Sequence, residues 1–473
     1  MNEQVVTEHV DAVWVNDIVP ALVDYISIPN VSMAFDADWV TNGHMHRAVD
    51  LIATWCRARA IDGLELEVIE LDGRSPLVFV VVPATAGAGT DSTVLLYGHL
   101  DKQPEMTGWR DGLGPWTPVI EGDRLYGRGG GDDGYSAFAA LTSIEAVEAA
   151  GGDHARCVVI IEASEESGSH DLPTYVEHLA RRLGSVGLVI CLDSACGDYE
   201  HLWVTTSLRG LVGGTLTVKV LENGVHSGVA SGVAPSSFRI IRQLLDRVED
   251  ATTGRVLVPE THVTIPANRR IDAAATSDAL GHSLSDELHF AGSTRPMVDE
   301  PTEHLLNTTW RPTLSYTGID GMPPTTRAGN VLRPMTALKL SFRLPPTCNA
   351  ANARQAITEA LTVDPPSGAD VGFDHVESAT GWDAPAFSPW LAAALDSASH
   401  LSFGTPARAL GEGGSIPFMA MLGQRFPDAQ FVVTGILGPE SNAHGPNEFV
   451  HLPTAKRLTA AISRLLNSHA RFG

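Results

Sequence analysis

The sequence has few basic residues for its length. Its 473 residues include 32 Lys and Arg against 56 Asp and Glu, so the formal net charge is −24. A negative surface repels phosphate backbones and anionic lipid headgroups, which argues against nucleic-acid or membrane binding. The same excess provides acidic side chains for a metal site, and the charge alone does not decide between these consequences.

Cysteine is also scarce, and its spacing fits neither a zinc finger nor a disulfide framework. The five cysteines are Cys56, Cys157, Cys191, Cys196 and Cys348, and no two form a CxxC pair. An odd number of scattered thiols predicts a reduced, cytoplasmic protein.

Long apolar runs are missing as well. No stretch of the sequence approaches the ~18 apolar residues of a membrane-spanning helix. Near the start, Val10, Val13, Ile18 and Leu22 recur roughly at helical spacing, without a basic segment followed by an apolar one. We therefore expect an amphipathic helix there, rather than a signal peptide.

The apolar residues that are present suffice for two domains. They make up 44% of the 473 residues, and this length exceeds the usual size of a single core. Short apolar runs separated by a helical segment are typical of an α/β sheet covered by helices. The predicted strands are Leu64–Leu71, Pro76–Val82, Val94–Gly98, Val158–Ala163 and Gly187–Leu192, and the predicted helix is Asp133–Ala150.

The pattern changes near residue 208. Gly213–Val220 and Ala337–Phe342 alternate apolar and polar residues, and Ser236–Val248 has helical spacing. This combination predicts an α+β domain with one open sheet face, inserted before the α/β pattern returns with a strand at Ala429–Thr434. The predicted domains are therefore 1–207 together with 386–473, and an inserted domain at 208–385. The stretch 256–325 has weak periodicity and gives no prediction.

His99 and Asp101 follow the predicted strand Val94–Gly98 in the stretch YGHLDKQP. Residues i and i+2 of a strand point to the same face, so the two side chains project together. Ligands bind at the carboxyl ends of strands in open α/β sheets, and a metal-bound histidine commonly pairs its second ring nitrogen with a carboxylate. Alone, this short motif is more typical of a polar strand end that faces solvent.

Further acidic and imidazole groups lie just beyond other predicted strands or at the start of the predicted helix. They are Asp132 and Asp133, Glu165 and Glu166, Asp193, and His444. Each one alone fits a helix cap or a surface group. Two histidines and several carboxylates in such positions are together the ligand set of a dinuclear hydrolytic site.

The stretches YGHLDKQP, GRGGGDD, EESGS and NAHGPNE resemble a known family in content and order. The sequence looks like the dinuclear zinc metallopeptidases that include carnosinases, bacterial dipeptidases, aminoacylases, glutamate carboxypeptidases and succinyl-diaminopimelate desuccinylases. The resemblance covers nearly the whole chain. It implies an α/β catalytic domain with a mixed sheet covered by helices, and an inserted α+β lid and dimerisation domain.

The resemblance also implies two divalent metal ions per chain, with zinc expected and manganese or cobalt as alternatives. Asp132 would bridge the two ions. The further ligands would be Glu166 and His444 for one ion, and His99 and Asp193 for the other.

Glu165 and Asp101 have catalytic roles by the same resemblance. A bound zinc lowers the pKa of water towards ~7, so Glu165 could take a proton from the metal-bridging water and give it to the leaving amine. Asp101 would orient His99. A metal ligand is the alternative role for Glu165, and its position before Glu166 favours the base.

The inserted domain would contribute substrate-binding residues. In ENGVHSGVASG, His226 would reach the active site of a partner subunit and polarise the scissile carbonyl, which implies a homodimer formed through the lid domain. Arg343 in SFRLPP would grip a substrate carboxylate bidentately, and the alternative is a surface arginine on an edge strand. Asn330, Gly414 and Ser415 match stretches that contact substrate in relatives.

Two features of the resemblance bear on the substrate. Aspartate at the position of Asp193 goes with aminopeptidases and dipeptidases, and GWDAPAF (Gly381–Phe387) resembles the dipeptidase and carnosinase branch. The sequence therefore predicts hydrolysis of the peptide bond of dipeptides or short peptides. Gly134 stands where relatives usually have lysine, which leaves the substrate preference open.

Other functions stay open from the sequence. They are an N-acyl amino acid deacylase or carboxypeptidase of the same fold, a metal-binding protein without catalysis, and a nucleotide-binding oxidoreductase. The presence of Glu165 argues against the binding protein, which needs no base. Asp132 and Asp133 argue against the oxidoreductase, because a pyrophosphate needs a neutral or positive helix N-terminus.

Overall fold

The computed structural model describes residues 1–281, 284–414 and 417–473, which divide into two compact units. The first unit comprises Met1–Thr206, Ala384–Leu410 and Met421–Gly473, and the second comprises Ser207–Asp383 and Gly411–Ala420. The boundaries expected from the sequence differ from these limits by one or two residues, and they assign Gly411–Ala420 to the other unit.

The strands and helices of the described residues have the following limits. Strands β1–β8 are Glu65–Ile69, Leu77–Val82, Thr93–His99, Val119–Glu121, Arg124–Tyr126, Arg156–Glu162, Val186–Cys191 and Trp203–Leu208. Strands β9–β18 are Gly210–Lys219, Val225–His226, Thr313–Asp320, Val331–Leu332, Met335–Leu344, Asp370–Ala379, Trp382–Asp383, Arg408–Glu412, Gln430–Val433 and Phe449–His451. Helices α1–α15 are Glu3–Val13, Val19–Ile26, Trp39–Asn42, His44–Arg57, Tyr135–Ala149, Leu172–His178, Ala180–Leu183, Ser227–Ala230, Ser237–Leu245, Ala267–Leu280, Pro301–Thr309, Ala350–Thr362, Pro389–Phe403, Pro417–Arg425 and Leu452–Phe472.

The first unit is built on a mixed sheet with the strand order β1-β2-β6-β3-β7-β17-β8. Strands β6, β3, β7 and β17 run parallel to one another, so their carboxyl ends meet at one edge of the sheet. Helices α1, α4, α5, α13 and α15 bury apolar side chains in the same core as these strands. Removal of this apolar surface from water stabilises the unit. The mixed sheet and the helices that cover it confirm the predicted α/β fold.

The predicted N-terminal helix is present as α1 and α2, joined by a π-type segment at Trp14–Ile18. Val10, Ile18 and Leu22 are buried against the core of the first unit, as their spacing predicts. Within the described ranges, no helix combines the length and the apolar character that crossing a membrane requires.

Helix α5 begins at Tyr135, two residues later than the prediction. Gly130–Gly134 form a π-type turn instead, in which Asp132 (φ −120°, ψ 86°) and Asp133 (φ −131°, ψ 27°) leave helical geometry. The prediction was wrong here because long-range contacts outweigh local helix preference. One such contact is Asp133 Oδ2, which accepts a hydrogen bond from the backbone N–H of His99 at 3.1 Å.

The second unit contains an antiparallel sheet with the strand order β11-β13-β9-β14. Helices α9 and α12 share one core with this sheet, and β9 alternates between buried and less buried positions. This arrangement confirms the α+β prediction. The stretch 256–325 contains α10, α11 and β11. In α10 only Arg269 and Thr276 are buried, so the helix has no apolar stripe for the sequence to reveal.

Candidate metal centre and substrate-binding residues

The carboxyl edge of the parallel strands brings the predicted metal ligands together. His99 is the last residue of β3, Glu165 and Glu166 follow β6, and Asp193 follows β7. His444 lies in the loop between β17 and β18. Because β6, β3 and β7 are neighbours, side chains at their ends converge at one place.

Two groups of potential ligand atoms form at this edge. In each group, the atoms lie within 4.8 Å of one another, and the groups are Asp132, Glu166 and His444, and His99, Asp133 and Asp193. The first group consists of residues predicted for one metal ion. The second adds Asp133, which is not among the ligands expected from the sequence.

Asp132 contacts both histidines with different oxygens. Its Oδ1 lies 3.3 Å from His99 Nε2, and its Oδ2 lies 3.0 Å from His444 Nε2. Burial raises the pKa of Asp132, but the two imidazoles outweigh it and hold the pKa below its usual range. The carboxylate of Asp132 therefore presents one oxygen to each of the two imidazoles.

The buried carboxylates create a demand for positive charge. Burial raises the pKa of Glu165, Glu166 and Asp133, and the charges of Asp193 or Asp132 add to this effect. Among the described residues, Glu166 Oε1 and Asp133 Oδ1 are buried without a hydrogen-bond partner. Such acceptors are costly unless a proton or a cation satisfies them. The residues present therefore fit divalent metal ions, which carboxylates and imidazoles ligate.

The two histidines are held in a strongly anionic setting. Burial lowers the pKa of His444, but Asp132 and Glu166 outweigh it and raise the pKa to about 11. Burial also lowers the pKa of His99, but Asp193 and other carboxylates outweigh it and raise the pKa well above its usual value. Because imidazole ligates metals in its neutral form, metal binding at this centre would release protons.

Asp101 holds the glutamate turn in addition to facing His99. Its Oδ1 lies 3.5 Å from His99 Nδ1, and its backbone carbonyl oxygen is nearer, at 3.1 Å. The same carboxylate accepts the backbone N–H groups of Glu165 at 3.1 Å and Glu166 at 3.0 Å. Gln103 Nε2 also donates to Glu166 Oε2 at 2.7 Å. These contacts cross between separate strand ends, so the sequence pattern does not reveal them.

Glu162, which was not predicted, lies just before this turn and accepts hydrogen bonds from the residues around it. It is the last residue of β6, and it is 2% exposed. Its carboxylate accepts hydrogen bonds from Tyr97 at 2.5 Å, Ser169 at 2.9 Å and Ser164 at 3.1 Å. A buried carboxylate with several donors fixes the backbone around it. In the sequence it is visible only as the first glutamate of IIEASEESGS.

Tyr25 occupies the space beside Gly134. A Cβ atom at Gly134 would lie 2.2 Å from Tyr25 Cε1 and 2.7 Å from the carbonyl oxygen of Gly129. The ring is fully buried, its hydroxyl donates to the carbonyl of Leu100 at 2.6 Å, and Lys102 Nζ lies 4.0 Å from its centroid. This packing leaves no room for a side chain at position 134.

His226 and Asn330 are neighbours in the second unit. His226 ends β10, which pairs with β12, and the backbone N–H of Ser227 donates to the carbonyl of Asn330 at 2.9 Å. The imidazole is exposed, and its Nδ1 accepts the backbone N–H of Gly228 at 3.1 Å. Ser415, which was also predicted to contact substrate, lies outside the described residues.

A second arginine, Arg209, lies near Arg343. Burial, followed by the like charge of Arg343, lowers the pKa of Arg209 to about 10. Its Nε donates to the carbonyl of Gly413 and its Nη1 to Thr313 Oγ1, both at 3.1 Å, and its backbone N–H donates to the carbonyl of Gly414 at 3.0 Å. Two neighbouring guanidinium groups concentrate positive charge. Nothing in SLRGLVGG predicted this buried arginine.

Comparison with known proteins supports an enzymatic centre. Residues 95–468 match peptidase family M20/M25/M40. The chain is 26% identical over 439 residues to the cysteinylglycine-S-conjugate dipeptidase of Corynebacterium striatum, covering 89% of this chain and 90% of that protein. It is 27% identical over 395 residues to the Beta-Ala-His dipeptidase of Homo sapiens, covering 80% and 75%.

Solved structures of similar fold include human carnosine dipeptidase 1, with a TM-score of 0.76, 21% identity and 99% coverage of both chains. The di-peptidase Dug1p of Saccharomyces cerevisiae gives a TM-score of 0.75 at 20% identity, again with 99% coverage of both chains. At this identity the likeness speaks for the fold, which agrees with the predicted fold class. The family match spans most of the chain and confirms the predicted resemblance and the prediction of a hydrolytic metallopeptidase. The chain is therefore a member of peptidase family M20/M25/M40.

Proposed function

We propose that the chain hydrolyses the peptide bond of dipeptides at a centre that holds two divalent metal ions. The observation that carries the proposal is Asp132, whose two oxygens face His99 on one side and His444 on the other. The dipeptidases among its relatives support the choice of substrate class.

Each ion has two ligands besides the bridging Asp132 in this proposal. They are Glu166 and His444 for one ion, and His99 and Asp193 for the other. A bound divalent ion supplies a Lewis acid for the carbonyl and lowers the pKa of water towards ~7. Zinc is the proposed metal because mixed imidazole and carboxylate ligands suit it, with manganese and cobalt as alternatives.

Glu165 is the proposed general base. Its carboxylate would accept a proton from the attacking water and pass it to the leaving amine. Burial, together with the charge of Asp193, raises its pKa in the metal-free protein. Neither group of potential ligand atoms found among the described residues includes Glu165, which supports a base rather than a ligand.

Arg343 is proposed to bind the free carboxylate of the substrate, with Asn330, Gly414 and Ser415 as further contacts. The nearby Arg209 supports this role, because two neighbouring arginines concentrate positive charge. A substrate with a free C-terminal carboxylate is attracted to such a position.

A homodimer formed through the second unit is proposed to complete the site, with His226 polarising the scissile carbonyl bound at the partner subunit. Apolar side chains around His226 support such an interface. Val229 and Val233 are 79% and 87% exposed, and Val225 and Val331 are also exposed. Apolar groups clustered on a surface commonly mark a protein contact.

A cytoplasmic location is proposed from the cysteines. All five are buried, and none forms a disulfide with another. Unpaired thiols are typical of proteins that stay in a reducing compartment.

The proposal is tested with metal-depleted protein and a panel of dipeptides and N-acyl amino acids. We expect cleavage of dipeptides after zinc or manganese is added back, with two ions counted per chain. Efficient cleavage of N-acyl amino acids without cleavage of any dipeptide would replace the proposal with a deacylase. Two bound ions without turnover of either class would contradict the assigned substrate class.

A further inference from the structure

The second unit contains a cavity of about 660 Å³ that none of the roles above uses. Its walls come from 253–255, 262–265 and 310–313, with side chains from α10 and α11. Pockets of ~300–1,000 Å³ hold small-molecule ligands, so this volume is sufficient for one.

The charge of the cavity opposes that of the chain. Three arginines and a histidine line it, namely Arg255, Arg270, Arg311 and His262, and none of the lining residues in the described part of the chain is acidic. The whole sequence, by contrast, has 56 acidic residues against 32 Lys and Arg. A cavity of this composition attracts anions against the field of the rest of the protein.

Two of the guanidinium groups have donors to spare. Arg311 Nη1 lies 2.7 Å from Glu303 Oε2 and 2.7 Å from Asn307 Oδ1, so this side chain is already paired. For the side chains of Arg255 and Arg270, no hydrogen bond or ion pair exists with any described residue. A guanidinium carries five N–H donors in a fork that matches a carboxylate or a phosphate.

The remaining lining is largely apolar. Ile265 and Trp310 are buried in one small cluster, and Val298 and Pro312 lie beside them. A ligand that fills this space therefore needs an apolar body as well as acidic groups.

We infer that this cavity binds a small organic anion whose apolar body lies on Ile265 and Trp310 and whose acidic groups pair with Arg255 and Arg270. Carboxylate and phosphate present the same oxygen pair to a guanidinium, so the acidic group comes from either chemistry. Thr313 lines the cavity and pairs with Arg343 across β11 and β13. The test must therefore separate this cavity from the proposed substrate carboxylate site.

Isothermal titration of the metal-loaded full chain tests the inference with three aromatic probes. Isophthalate carries two carboxylates, phenyl phosphate carries a phosphate, and isophthalamide is the neutral control. We expect one saturable site per chain for at least one of the acids, at least about ten-fold weaker binding of isophthalamide, and weaker acid binding as salt is raised. The tighter of the two acids identifies the acidic group. Equal binding of isophthalamide, or binding of neither acid, overturns the inference.

Variants locate the site. Arg255→Gln with Arg270→Gln removes two exposed side chains, and we expect binding at least about ten-fold weaker. Arg242→Gln, an exposed arginine of α9 in the same unit, is the matched control and is expected to bind like the unaltered chain. Thermal unfolding of each variant verifies that it is folded.

Two outcomes of this series would overturn the inference. One is unchanged affinity in the double variant. The other is loss of binding in Arg343→Gln with retention in the double variant, which would assign the anion to the substrate carboxylate site. Dipeptide hydrolysis is assayed separately, so failure of the cavity proposal leaves the proposed function intact.

Discussion

The two units concentrate opposite charges. At the strand ends of the first unit, carboxylates gather around two histidines, and buried oxygens remain without hydrogen-bond partners among the described residues. In the second unit, Arg209 and Arg343 lie near each other, and further arginines line a cavity. The first arrangement concentrates negative charge, and the second concentrates positive charge. We therefore expect changes in the first unit to alter metal binding and turnover, and changes in the second to alter recognition of the substrate.

The largest effect is expected for Asp132→Asn. The amide cannot neutralise two cations, so we expect loss of both metal ions and of measurable hydrolysis. Metal content per chain and dipeptide turnover are measured together, with Asp11→Asn, an exposed change in α1, as the control. Retention of two ions by the variant would show that Asp132 is not the bridge.

Glu165→Gln separates catalysis from metal binding in the first unit. We expect two ions to remain bound while the turnover number falls by about 10²–10⁴-fold, because the amide cannot accept a proton. Glu177→Gln on α6 provides an exposed control. If the variant instead loses a metal ion, Glu165 is a ligand and the base must be sought elsewhere.

Asp101→Asn tests the positioning of the glutamate turn. Asparagine offers one oxygen where the carboxylate accepts the N–H groups of both Glu165 and Glu166. We expect about 10–100-fold weaker metal affinity, which is typical when a residue that orients ligands is altered. Competition with a chelator measures this affinity. An unchanged affinity would mean that the conformation of the glutamate turn does not depend on Asp101.

Arg343→Gln probes the second unit. Loss of a charge-assisted hydrogen bond of about 1.5–3 kcal/mol corresponds to a KM for dipeptides raised about ten- to hundred-fold, with metal content unchanged. Dipeptide amides serve as matched substrates, since they lack the carboxylate and should respond far less. An equal response of dipeptides and their amides would remove Arg343 from carboxylate recognition.

Gly134→Ala is expected to have the smallest effect on chemistry, because it acts through packing. The added methyl group would collide with Tyr25, and overpacking of this kind costs about 1–3 kcal/mol of unfolding free energy. Urea unfolding measures the change, and Gly329→Ala, which has open space around it, is the control. Equal stability of the two variants would show that Tyr25 moves aside easily.

The strand ends of the first unit could be predicted because their signals are local. A short apolar run that ends at His99 or just before Asp193 predicts a strand. It also predicts that the polar side chain lies at the carboxyl end of that strand. Parallel pairing then brings these ends together without further information.

The residues and contacts that were not predicted depend on partners far away in the chain. Arg209 bonds to Gly413, 204 residues later, and Asp101 bonds to Glu165, 64 residues later. Asp133 leaves the predicted helix because it accepts the backbone N–H of His99. No local periodicity encodes such contacts. A sequence pattern can therefore indicate which side chains bind metal or react, but not which other residues position those side chains.

The position of β17 has a consequence for synthesis of the protein. This strand lies between β7 and β8, yet it begins at Gln430, long after both have been translated. A growing chain therefore exposes an unpaired edge of β7 while the whole second unit leaves the ribosome. Open strand edges pair readily with other chains, so premature termination before β17 would release a product prone to aggregation rather than a smaller enzyme.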